Sequence, residues 1–193
     1  MSVITAPTQE IIDQFVGNSH GNLVVVKKLL KQYPSMINAN ASWTETAIQA
    51  AAQTGQVDIV NYLIDHGAEY DICTAAMLGH LDCMDDFLKE DSNLVNARGA
   101  HGIPLLYFPV IHAKTDVAEY LLQHGADPNA ASSDGITPLH AAVMFDQPKM
   151  ALWLLDHGVD TNPKNYHKTP LAMALEKKRT ELVEILRSHG GIE

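Results

Sequence analysis

Of the six His-Gly pairs in this chain, four punctuate it at a regular place, at 66–67, 124–125, 157–158 and 189–190, each just after an apolar pair or its equivalent. Thr137 stands 21 residues before Gly158, and the same interval joins Thr46 to Gly67 and Thr169 to Gly190. Working back from every turn places the first slot of a unit at Ile12, Thr46, Tyr70, Pro104, Thr137 and Thr169, with successive spacings of 34, 24, 34, 33 and 32 residues. A period of this length means stacked supersecondary units, each covering its neighbour's apolar face, rather than one globular core. The 193 residues divide into six such units, one of them shortened by about nine or ten residues.

A second period lies over the first. At an offset of 58, Gly21 pairs with Gly79, Leu30 with Leu88, Lys31 with Lys89, Tyr62-Leu63 with Tyr120-Leu121, and His66-Gly67-Ala68 with His124-Gly125-Ala126. No gap is needed, so units 1–2 and 3–4 read as copies of one two-unit module. The same register supports Pro104 as the first slot of the fourth unit.

The residues at these slots carry a resemblance. Thr137-Pro138-Leu139-His140 gives TPLH, Thr169-Pro170-Leu171 gives TPL, and Gly125-Ala126-Asp127-Pro128-Asn129-Ala130 gives GADxNA. Ala51-Ala52 with Gly55, and Ala75-Ala76 with Gly79-His80, supply the middle of the pattern. Over nearly its whole length the chain resembles the ankyrin-repeat family. The resemblance implies an all-α solenoid of helix-turn-helix units with short β-turn or hairpin fingers. The expected organisation is one domain over 1–193, with repeats at 8–40, 41–69, 70–97, 98–130, 131–163 and 164–193. Asp13, Gln14 and Asn18 at one end, and Glu176 to Arg179 with Arg187 at the other, mark the first and last repeats as polar caps.

Small residues such as Ala50-Ala51-Ala52 predict a short first helix that lets its neighbours come close. Ile59, Val60, Leu63 and Ile64 predict an amphipathic second helix. The glycines at 67, 125, 158 and 190 predict left-handed helix ends. Between Glu69 and Ala75 there is no room for a finger, so a notch in the finger row is expected there, with Asp71 capping the shortened helix entrance.

Composition narrows the function classes. With 23 acidic side chains against 13 basic ones, the net charge of -10 argues against nucleic acid and anionic membranes. Two cysteines make no disulfide framework, which points to a reducing cytoplasm. MSVITAPTQEIIDQFV has no signal-peptide pattern and no stretch reaches the length of a membrane span. Ten histidines raise metal or acid–base chemistry, yet no HExxH or CxxC cluster supports it, and four of them sit in the turns. The resemblance assigns His140 a structural role, fixing the hairpin-to-helix turn. Cys73 and Cys83 lack a basic neighbour that would favour a thiolate. Asp82, Asp85, Asp86, Glu90 and Asp91 match no calcium loop and read as a solvated face, with partner selection by charge left open. No phosphate loop, nucleophile elbow or dinucleotide fingerprint is present, so no cofactor and no metal are expected, and no catalytic residue is assigned.

In the resembled family, the two residues after the Ala-Ala pair face a concave groove and, with the finger tips, carry recognition. Here the central slots hold Met77, Leu78, Ile111, His112, Met144 and Phe145, and the finger tips hold Trp43, His101, Asp134 and Tyr166. A contiguous apolar stripe in solvent marks an interaction site. Pro109 leaves open whether Val110 or Ile111 takes its slot, and the alternative is that Pro104 and Pro109 turn that repeat's side chains inward. Trp153 falls on a second helix and reads as packing. The expected function is a non-enzymatic module, monomeric and cytoplasmic, binding a protein or peptide. A regulatory or inhibitory subunit of an enzyme is the alternative, and chemistry hidden among the histidines a remote third.

Overall fold

The computed structural model describes residues 6–163 and 168–193. Helices form in pairs along the chain: α1 (Gln9–Asn18) with α2 (Leu23–Gln32), α3 (Ala47–Gln53) with α4 (Val57–Asp65), and α5 (Ile72–Leu78) with α6 (Leu81–Glu90). The pattern continues with α7 (Tyr107–Ile111) and α8 (Thr115–Gln123), α9 (Pro138–Met144) and α10 (Pro148–Asp156), and α11 (Pro170–Glu176) and α12 (Thr180–Ser188). Odd-numbered helices stack in one continuous row, and every even helix packs back on the odd helix before it. The described chain is an all-α repeat solenoid.

The reasons are local. Thr46 and Thr137 each cap a first helix, with Gln49 and His140 closing a capping box from three residues on. Ala50, Ala51, Ala75, Ala76, Ala141 and Ala142 are fully buried, and side chains this small let the odd row pack closely. Second helices end at Gly67, Gly125, Gly158 and Gly190, whose φ values of +88°, +90°, +78° and +79° are cheap only for glycine. The histidine before each turns its Nδ1 back onto the carbonyl four residues earlier, at 2.7 to 2.8 Å. Three of those rings also lie against Tyr62, Tyr120 and Trp153, at centroid distances of 4.1, 4.1 and 3.9 Å. Trp153 is therefore packing.

Fingers are pinned by isolated bridges between Asn40 and Thr46 and between Arg98 and Pro104. The Ala41 N–H donates to Glu45 O and the Gly99 N–H to Ile103 O, both at 2.8 Å, so the offset of 58 extends into the fingers. A third turn closes through Ser132 N–H and Ile136 O at 2.9 Å. Before α5 there is no finger, and the Asp71 carboxylate accepts the Thr74 N–H at 2.7 Å as its cap.

The expected notch is not open. With nothing projecting from the third unit, the 98–104 finger comes to rest against α3. Behind it, the Tyr107 hydroxyl donates to Gln53 O at 3.4 Å, and His112 Nε2 lies 3.1 Å from Gly55 O. Ile111 sits over Gly55 so closely that a Cβ there would meet its Cγ2 at 2.5 Å. The fourth unit thus reaches across the third to the second. α7 itself is five residues long and starts three residues after Pro104, whereas α9 starts directly after Thr137. Pro109 has no N–H to donate, and the entrance is a tight turn in which Tyr107 and Phe108 bond to Pro104 O and Leu105 O.

Candidate functional site

Fingers and first helices form one face. Along it, the turns at 41–45, 99–103 and 132–136 present Trp43, His101 and Asp134, all exposed. Because the third unit lacks a finger, the first two of these turns come together. His101 Nε2 stands 3.9 Å from Glu45 Oε2, and His20 Nε2 stands 3.7 Å from the same oxygen. Glu45 is 1% exposed. Its carboxylate accepts the Trp43 indole N–H at 2.8 Å and a bond from the Gln53 amide, which satisfies a charge that burial would otherwise penalise. Gln53 Nε2 also lies 3.1 Å from His20 Nε2.

Next to this cluster, a cavity of about 170 Å³ opens between the second and third fingers. Ile103, Tyr107, Ile136 and Met144 make its apolar floor, and His101, Ser132 and Asp134 its polar rim. Burial pushes the Tyr107 hydroxyl up to about 12, so it stays protonated and donates to Gln53 O. A pocket of about 150 Å³ holds a benzene-sized group, so this one suits a single side chain.

The stripe read from the sequence is only partly a surface. Met77 is 0% and Ile111 2% exposed, so both belong to the core. Closure of the fourth unit over the third covers α5, and Ile111 is the side chain that fills the gap above Gly55. Val110 is equally buried, so neither residue takes the solvent-facing slot; the inward turn of this repeat is what the structure has. Leu78 and Phe145 are half-buried, with Phe145 edge-on to Tyr107 at 5.9 Å. Met144 is 37% exposed and His112 is exposed. Tyr166 lies outside the described residues.

Glu45, Ile103, Tyr107 and Ile136 belong to this face and were not singled out from the sequence. A signal existed for three of them. Glu45, Ile103 and Ile136 each occupy the position just before a first slot, where the other units hold Ile11, Glu69 and Lys168. Among the described residues no group of three His, Cys, Asp or Glu is arranged to hold a metal ion. Burial, with the Asp71 carboxylate, pushes the Cys73 thiol well above its ordinary value, so it is no nucleophile at neutral pH. Among the described residues no helix is long and apolar enough to cross a membrane.

Paired helices stacked in two layers, with fingers at the turns between units, define a helical repeat protein. The family model for ankyrin repeats (3 copies) matches residues 114–193, and a single ankyrin-repeat model matches 45–75. The chain belongs to the ankyrin-repeat family, whose repeats are generally protein–protein interaction modules without catalytic activity. It is similar to Alpha-latrocrustotoxin-Lt1a of Latrodectus tredecimguttatus, 29% identical over 115 residues, which are 55% of this chain and 8% of that protein. It is also similar to the NAD-capped RNA hydrolase NUDT12 of Macaca fascicularis, 30% identical over 82 residues, 42% of this chain and 18% of that protein. The chain thus spans a small fraction of either relative.

Proposed function

We propose that this chain is a non-enzymatic adaptor that holds a protein or peptide along its finger-and-first-helix groove. The observation that carries the reading is convergence. His101 of the fourth repeat and Asp134 and Met144 of the fifth, chosen by slot alone, line one side-chain-sized cavity. Trp43, 41% exposed, stands beside it as an aromatic anchor, with Leu78, His112 and Phe145 extending the surface. Exposed Glu10 and Gln14 at one end, and Glu181, Glu184 and Arg187 at the other, support polar caps on the stack. Within this reading the protein acts as a monomer in the cytoplasm, where Cys73 and Cys83 remain thiols.

The test is capture of a partner by the wild type and by an Asp134→Ala, Met144→Asp variant, both at exposed positions. Both side chains are partly in solvent, so thermal stability should hold while capture falls at least about tenfold. Undiminished capture by the variant would falsify the groove reading. A regulatory role on an enzyme is the second reading, favoured by the likeness to a segment of a hydrolase. It requires the captured partner to be an enzyme whose turnover changes on binding.

A further inference from the structure

A second cavity, of about 450 Å³, lies on the row of second helices and away from the finger groove. Lys27, Leu30 and Lys31 of α2, Pro34 beyond it, and Tyr62 and His66 of α4 and its end line it. Lys27 Nζ stands 5.2 Å from the Tyr62 ring centre, against which the His66 ring also rests at 4.1 Å. In a chain of net charge -10, neither Lys27 nor Lys31 has a carboxylate within ion-pair distance among the described residues.

The duplicated module supplies an internal comparison. At the offset of 58, Lys27, Lys31, Tyr62 and His66 correspond to Asp85, Lys89, Tyr120 and His124. There the site neutralises itself: Lys89 Nζ lies 2.5 Å from Asp85 Oδ2, and the Tyr120 hydroxyl donates to Asp85 Oδ1 at 3.2 Å. The Lys89 ammonium accordingly holds the Asp85 carboxyl below its ordinary range. Asp86 also lies 3.7 Å from Lys89 Nζ and corresponds to Lys28, so two exchanges of lysine for aspartate, at positions 27 and 28, convert a closed ion network into an open cationic cavity on the same scaffold.

We propose that this cavity docks an acidic segment of a partner protein, with carboxylates on Lys27 and Lys31 and an adjoining apolar side chain on Leu30, Pro34 and Tyr62. Lys27 and Lys31 are one helical turn apart and project on the same face of α2. The volume falls within the range of about 300–1,000 Å³ typical of ligand sites, and half its lining is apolar. A long polyanion would run beyond the lysines onto an acidic surface, whereas a short segment meets only local charge, since screening acts within about 8–10 Å. The site does not depend on the groove reading.

The probe is a short labelled peptide of alternating glutamate and leucine, titrated into the full chain. Binding is expected at low salt and weakens as salt rises. Lys27→Asp recreates the pairing that Asp85 makes with Lys89, so it should weaken binding at least about tenfold with the thermal midpoint unchanged. Lys149→Asp, at an exposed lysine on α10, and Met144→Asp, in the groove, should leave the peptide affinity as it was. If Lys27→Asp lowers the thermal midpoint, the paired change Lys27→Gln, Lys31→Gln replaces it, with the same loss expected. No binding to the wild type, equal binding to the charge-altered variants, or a preference at this site for oligothymidylate or anionic vesicles overturns the proposal.

Discussion

His140 shows how one side chain joins two repeats. Its Nδ1 accepts the Thr137 N–H at 3.3 Å within the capping box, and Nε2 donates to Lys168 O of the following unit at 2.8 Å. Burial lowers its pKa from the ordinary 6.5, because the fully covered ring is costly to charge. A group with a depressed folded value binds fewer protons folded than unfolded. Its stability contribution is therefore complete above 6.5 and is lost as pH falls through the folded value. Gln49 fills the same capping role in the second repeat, so His140→Gln should keep the cap and lose the bond to Lys168, costing about 1 kcal/mol at pH 7.5. In urea unfolding that deficit should shrink toward pH 5; a gap constant with pH would show that the ring's charge is irrelevant. At this scale the sequence was legible wherever a residue answers to its own repeat, as His140 and Asp71 do. It was not legible for Met77, which the closing fourth unit covers, or for Ile111, which packs over Gly55 two units away.

Elements differ chiefly at their turns, and two glycines separate conformational from packing demands. Gly67 and Gly55 both have positive φ, +88° and +72°. A Cβ on Gly67 would meet nothing within 4 Å, but one on Gly55 would collide with Ile111 Cγ2 at 2.5 Å and crowd His112 Nε2 at 3.1 Å. Gly67→Ala should therefore cost only the left-handed strain, about 1–2 kcal/mol. Gly55→Ala adds overpacking of about 1–3 kcal/mol against a buried side chain. Thermal melting should show the second loss at roughly twice the first, and equal losses would mean that Ile111 moves aside freely. Counting residues between Glu69 and Ala75 was enough to predict the missing finger. Its closure by α7 was not countable, because it rests on contacts of Tyr107, Ile111 and His112 with Gln53 and Gly55 that no spacing in the chain announces. Glu45 became a candidate for the same reason: only the closed gap brings His101 to it.

Across the whole molecule this closure changes how stability is distributed. In an ordinary solenoid each unit contacts its immediate neighbours, so units behave as a linear chain of nearest-neighbour couplings and fray from either end. Here Tyr107 to Gln53, His112 to Gly55 and His101 to Glu45 add couplings between the second and fourth units. Among the described residues no hydrogen bond or ion pair across a full unit ties α1–α2 or α11–α12 to the centre. The span from α3 to α8 should therefore open as one cooperative block. Native-state hydrogen exchange is expected to give α3, α5 and α7 a common, high opening free energy, with α1, α2, α11 and α12 exchanging through lower-energy openings. Gly55→Ala disrupts the stitch without touching the end pairs, so it should lower the central plateau by about 2–5 kcal/mol and leave terminal exchange nearly unchanged. A smooth gradient from ends to middle in the wild type, unaltered in shape by Gly55→Ala, would instead mean that nearest-neighbour stacking alone sets the cooperativity. The proposed partner-binding face spans α3, α7 and α9, so this block is also what holds Trp43 and His101 in register. Loosening the stitch should weaken capture by displacing one finger against another, even though Gly55 itself touches no partner.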